Sequence, residues 1–222
     1  MYCKGISEMI SDERRCIFVH IPKTGGTSVE DAIWGADWSK RTPQQLWMGL
    51  VRPGFNKYQS GGLQHLLARQ ICEEVGADRF ESFYKFSFVR NPWDKAVSQF
   101  HYMKTRPDLR MLMGVRPWTT FRKYLRILRK HHNRHVQSYE QWRFVCREDG
   151  ELMVDFLGRF ESLEEDFRKV ASAIGLDDVT LPHSMKTKKR RPYTEYYDRG
   201  SADIIAEIYA RDIELLDYRF NG

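Results

Sequence analysis

The chain has 222 residues, of which 41% are hydrophobic and 30% charged, with a formal net charge of +6. That is enough for one well-cored domain, too apolar for a disordered chain, and without any apolar run long enough to span a bilayer. The four cysteines, Cys3, Cys16, Cys72 and Cys146, are widely spaced and read as reduced thiols, with no disulfide scaffold and no zinc site.

Cys16 to Val19 is a short apolar run that predicts a strand, with Cys16 as a small buried hydrophobe. After His20, Ile21 and Pro22 it breaks into Lys23-Thr24-Gly25-Gly26-Thr27-Ser28, and helical sequence follows to about Trp34. Glycines without Cβ let the backbone turn sharply and bring N–H groups to an anion, and the following helix points its positive end at the same place. Lys23 adds a full charge, and Thr27 and Ser28 add hydroxyls. The lysine precedes the glycines, so this is not the nucleoside-triphosphate loop, in which it follows them. The pattern predicts a cradle for a different phosphate ester; the alternative is an ordinary strand-to-helix turn.

Residues 35–62, rich in proline and glycine, read as loop with a short helix. Leu63, Leu66, Leu67, Ile71 and Val75 mark a helix ending near Gly76. On that helix His65 falls on the side away from the leucine stripe, outside the core and after the Gly61-Gly62 pair, where it is a candidate general base. His20, beside the cradle, is the rival base.

Residues 83–89 read as a buried strand. Asn91 then caps a helix over 92–104, with Pro92 at its first position and Asp94 in its first turn. Trp93, Ala96, Val97, Phe100 and Met103 form its buried face, Ser98 lies opposite, and Arg90 stands at the strand's carboxyl end, where open α/β sheets bind ligands. A helix near 118–130 has Phe121, Tyr124, Leu125 and Leu128 as its apolar face. Between Leu109 and Tyr139 lie eight Arg or Lys and no acid, and His183 to Tyr193 holds five more. Such local basicity implies a polyanionic ligand or partner, with Arg122, Arg126 and Arg129 on the helix's polar face. His131 and His135 are four apart, but no third ligand stands near them, so no metal is expected. Residues 152–160 read as short strands, Ser162 to Glu165 as a capping box opening a helix to Gly175, and about Ser201 to Leu216 as a last helix. An Arg159 to Glu161 salt bridge is the reading of that pair.

His20 to Ser28 together with Phe88 to Ser98 resembles the two cofactor motifs of sulfotransferases that use 3′-phosphoadenosine-5′-phosphosulfate (PAPS). The branch most similar holds the heparan sulfate 2-O- and chondroitin-type carbohydrate sulfotransferases and their small bacterial relatives. Phe156 to Glu161, Leu181-Pro182-His183, Tyr193 to Asp198 and the Asp212 to Phe220 ending are also similar to that branch. The resemblance implies that Lys23, Thr24, Gly25, Gly26, Thr27 and Ser28 grip the 5′-phosphosulfate. By the same resemblance Arg90 and Ser98 hold the 3′-phosphate, and the basic loop, with Thr187, Lys188 and Arg190, closes over the nucleotide.

It further implies His65 as base and Lys23 as stabiliser of the leaving oxygen. The donor would be PAPS, the product PAP, no metal would be needed, and the acceptor would be a hydroxyl of a carbohydrate or glycoconjugate. The family's animal members are membrane-anchored Golgi enzymes. The start, Met1 to Glu8, has no apolar secretory stretch, which favours a cytoplasmic bacterial-type member or a chain separated from its anchor. The expected architecture is a single-domain, P-loop-like, three-layer α/β/α fold with a short, mostly parallel sheet. Two alternatives stay open: a nucleotide kinase-like phosphoryl transferase, and a non-catalytic polyanion-binding module, with nucleic acid not the expected partner.

Overall fold

The computed structural model describes residues 9–35, 65–176, 179–182 and 191–221. In chain order the strands and helices begin β1 (Ile10–Ser11), β2 (Cys16–Val19), α1 (Gly26–Trp34), α2 (Ala68–Val75), α3 (Ala77–Ser82) and β3 (Tyr84–Val89). They continue α4 (Pro92–Thr105), α5 (Pro107–Leu112), α6 (Phe121–His131), α7 (Trp142–Val145), β4 (Phe156–Arg159), α8 (Leu163–Ala173), α9 (Arg199–Ile208) and α10 (Ala210–Leu215). The chain divides into two compact units, Met1–Val89 with Arg143–Lys186, and Arg90–Trp142 with Thr187–Gly222.

The first unit holds the sheet, in the order β1-β2-β3-β4. β1 is antiparallel to β2, whereas β2, β3 and β4 are parallel, with Cys16 opposite Tyr84 and Phe86 opposite Phe156. Both faces of a parallel sheet must be covered, which is why Cys16 to Val19 and Phe86 to Val89 are apolar almost without interruption. Cys16, Phe18, Phe86 and Phe88 on one face pack against Val29 and Ile33 of α1 and Phe167, Val170 and Ala171 of α8. On the other face Ile17, Val19 and Ser87 are buried, and Ser87 Oγ donates to the Val19 carbonyl at 2.6 Å. The expected α/β fold with a short, mostly parallel sheet is present. Burial raises the Cys16 thiol to about 11, as expected of an inert core cysteine.

The second unit is helical. Trp93, Ala96, Phe100 and Met103 of α4 meet Tyr124, Leu125 and Leu128 of α6 and Ile205 and Ile208 of α9. Trp93 Nε1 donates to the Ala202 carbonyl and Tyr197 Oη to the Trp93 carbonyl, at 3.0 and 2.8 Å.

Several boundaries differ from the expectations. The helix placed at 63–76 begins only at Ala68, because Leu66 and Leu67 turn inward before it and the Gln70 side chain accepts from Leu67 N. The capping box at Ser162 does not form: Ser162 Oγ donates instead to Asp166 Oδ2 at 2.8 Å, and Phe160–Ser162 make a 3₁₀ turn. The last helix is two, broken at Tyr209 (φ −112°, ψ 30°), whose buried hydroxyl reaches the Ser138 carbonyl at 3.0 Å. Its true start is the Asp198–Ser201 capping pair, with Ser201 N donating to Asp198 Oδ1 and Asp198 N to Ser201 Oγ, both at 2.8 Å. Residues 36–64 and 183–190 lie outside the described residues, so the expected loop at 35–62 and the contacts assigned to Thr187, Lys188 and Arg190 fall there. No helix among the described residues is long and apolar enough to cross a membrane.

Candidate active site

In the first unit β2 ends at Val19 and the chain turns through residues 20–25 into α1. Lys23 (φ 69°) and Gly25 (φ 87°) both take the left-handed region, which costs a non-glycine residue about 1 kcal/mol or more. Strain of this kind gathers at functional loops. Gly25 is the N-cap of α1 and brings no side chain to its orphan amides. An uncapped helix start is what an anion requires. Lys23, Gly25, Thr27 and Ser28 are half-buried. Thr24 is buried and its Oγ1 donates to the Ile21 carbonyl at 2.9 Å, so its hydroxyl braces the turn.

The two glycines also have packing reasons that the sequence does not reveal. A Cβ on Gly25 would come within 2.7 Å of Leu163 Cδ2, and one on Gly26 within 2.2 Å of the His20 ring. No larger residue fits at Gly26 unless His20 moves. That histidine is buried, stacked on Phe18 with ring centroids 5.3 Å apart, and its Nδ1 lies 2.6 Å from Glu30 Oε1.

His65 is brought to the same loop. Its Nδ1 is 3.0 Å from the His20 carbonyl oxygen, and its ring meets the His20 ring edge-on at 4.5 Å. The expectation that it lies outside the core is corrected: it is 5% exposed and stands before α2 rather than on it. A carbonyl oxygen can only accept, so Nδ1 carries the proton and the basic lone pair is on Nε2. The ring is thereby fixed in orientation against the His20 turn.

In the second unit Arg90 opens the approach to α4. Asn91 caps that helix, its Oδ1 accepting from Trp93 N at 3.1 Å, while its Nδ2 donates to the Arg219 carbonyl at 2.8 Å. The Arg90 guanidinium meets Asp94 through Nε at 2.8 Å and a terminal nitrogen at 2.6 Å. Asp94 and the half-buried Ser98 are one turn apart on the same face of α4. Arg90 is thus held in a fixed pose, as a planar phosphate anchor needs to be.

Its backbone is fixed as well. Gln141 Oε1 accepts from Arg90 N and Gln141 Nε2 donates to the Arg90 carbonyl, each at 2.8 Å. Asp212 in turn accepts from Gln141 N and Trp142 N, each at 2.8 Å. Burial pushes the Asp212 carboxyl up to about 6 from 3.8, against those two amides and Lys95, which hold it down. Burial likewise lowers Lys95 to about 8, and its Nζ donates to the Tyr139 carbonyl at 3.1 Å.

A carboxyl raised in the folded state favours folding below its unfolded value, and that contribution is lost as pH rises through about 6. Wild type should therefore gain on the order of 1 kcal/mol from this residue between pH 7 and pH 5. In Asp212→Asn that increment should be missing from thermal unfolding followed across the same range. An unchanged pH dependence would contradict the assignment.

Glu30, Lys95, Gln141 and Asp212 were not singled out in the sequence. Two of them left a signal, because Glu30 interrupts the Gly26, Val29, Ile33 stripe and Lys95 lies beside Ala96 on the buried face of α4. The basic face of α6 is less open than its sequence implies. Arg129 pairs with Glu207 at 3.0 Å and Arg122 with Asp198 at 3.9 Å, both in exposed, weak pairs. Arg191, at the end of the basic loop, stacks on Tyr196 at 4.1 Å.

Comparison with known proteins identifies the family. A family model described as the sulfotransferase family matches residues 8–219. A protein of Archaeoglobus fulgidus described as uncharacterized is 32% identical over 111 residues, covering 50% of this chain and 83% of the relative. Carbohydrate sulfotransferase 10 of Xenopus laevis is 21% identical over 243 aligned positions, covering 95% of this chain and 66% of that protein. No solved structure matches the chain. With the family model running almost from end to end, over an α/β fold whose strand β2 leads into a glycine loop at the start of α1, the chain belongs to the sulfotransferase family.

Proposed function

We propose that the protein moves a sulfuryl group from PAPS to a hydroxyl, working as a single catalytic domain. The observation that carries this reading is the junction of a helix start at Gly25 that has no N-cap side chain with a histidine, His65, whose Nδ1 bonds the His20 carbonyl of the same turn. The loop Lys23 to Ser28 takes the 5′-phosphosulfate, with Thr24 contributing backbone alone. Arg90 and Ser98 take the 3′-phosphate, and Thr187, Lys188 and Arg190 belong to the loop that closes on the nucleotide.

In the reaction the acceptor oxygen forms a bond to sulfur while the bond from sulfur to the bridging phosphate oxygen breaks. The hydroxyl proton goes to His65 Nε2, and PAP leaves with the added charge on its phosphate. Lys23 and the N–H groups of the α1 start stabilise that charge where it develops. No metal is assigned a role. A carbohydrate or glycoconjugate acceptor is supported by the name of the Xenopus relative and by the motifs of that branch.

The 3′-phosphate separates this reading from a kinase. PAP at 100 times its dissociation constant should stabilise the fold by about 2.7 kcal/mol, raising the melting temperature by roughly 5–10 °C. AMP and ATP at the same concentration should raise it far less. Equal shifts for all three, or a shift that requires magnesium, would refute the proposal.

A further inference from the structure

Glu30 has no place among these roles. It is fully buried on the inner side of α1, one turn from the cradle. A carboxylate there opposes the positive field that an anion seeks, and burying it is costly unless it is paired. The position makes sense through what it holds, since its Oε1 is 2.6 Å from His20 Nδ1.

The His20 ring is confined on three sides: stacked on Phe18, set against Gly26, and met edge-on by the ring of His65 at 4.5 Å. The same residue's carbonyl accepts from His65 Nδ1 at 3.0 Å. Buried hydrogen bonds thus join the Glu30 carboxylate to the His20 ring and the His20 carbonyl to His65 Nδ1.

We infer that Glu30 and His20 are a positioning pair for the base, an inference that rests on the reading of His65 as that base. The carboxylate holds the His20 ring in one orientation. The ring is the wall on which His65 stands, and the His20 carbonyl selects the His65 tautomer that can receive a proton on Nε2. Neither Glu30 nor His20 touches the reacting atoms. Gly26 is part of the device, because a side chain there would displace the ring.

The test compares turnover, PAP affinity and coupling. Misplacing a catalytic group slightly is costly, so Glu30→Leu should lower turnover roughly 10- to 100-fold while PAP affinity stays within about threefold. Glu30→Gln, whose amide oxygen still accepts from Nδ1, should return turnover to within about threefold of wild type. Residues acting as a unit are not additive, so Glu30→Leu should lower turnover no further in a His65→Ala background.

Normal turnover in Glu30→Leu, failure of Glu30→Gln to recover it, or a full additional loss in the His65→Ala background would overturn the inference and leave His65 as the base. Normal turnover in His65→Ala alone would instead refute the base reading beneath it. Should Glu30→Leu not fold, nitrogen-15 histidine spectra of the wild-type protein decide, with the His65 signals identified by their loss in His65→Ala. The Nδ1-protonated form is expected there, and an Nε2-protonated His65 overturns the inference.

Discussion

His65→Ala is expected to lower turnover by roughly 10²–10⁴ with PAP affinity nearly unchanged, the magnitude typical of losing a general base. The split follows from the geometry. The ring is fixed by the His20 carbonyl at 3.0 Å and belongs to the segment before α2, whereas donor gripping is assigned to the loop and to Arg90. Because His20 lies against the same cradle, it is the control. His20→Ala removes the ring but keeps the carbonyl that fixes His65, so part of the activity should survive. Full turnover in His65→Ala, with none in His20→Ala, would exchange the two roles.

Lys23→Ala should behave differently, weakening PAP binding and lowering turnover together. Lys23 is half-buried on the turn just before Gly25, and its charge is assigned both to the bound phosphosulfate and to the departing phosphate oxygen. Removing one preorganised electrostatic contact of that kind costs roughly 10²–10³ in turnover. Kinetics at saturating donor and a binding titration with PAP give the two quantities separately. A defect confined to binding would mean that the lysine holds the ground state and does nothing further for the leaving group.

What the sequence makes legible follows from local rules. β2, the glycine turn and α1 could be placed because an apolar run, two glycines and a helical period succeed one another without ambiguity. The cap at Asn91 and the buried face of α4 were readable for the same reason. Elements whose form depends on distant partners were not. Tyr209 leaves the helix as its hydroxyl bonds the Ser138 carbonyl, 71 residues away in sequence.

At the site, the candidate base could be named but not its surroundings. Helical spacing assigned His65 an outward direction, yet the residue stands in a 3₁₀ turn before α2 rather than on an α-helix, and the ring turns in against His20. The Gly26 contact with His20 and the clamp of Gln141 on Arg90 join residues remote in sequence or orientation, and no periodicity encodes them. Glu30 and Lys95, charges on apolar helix faces, announced in advance that something had to meet them.

The most direct measurement follows the sulfuryl group itself, with sulfur-35-labelled PAPS offered to a panel of saccharides, lipids and phenols. The account predicts that label moves to a hydroxyl acceptor with one PAP released per transfer, without added metal, and that transfer falls in both His65→Ala and Lys23→Ala. Binding of a polyanion with no transfer of label to any acceptor, or transfer of the phosphoryl group of ATP in its place, would contradict it.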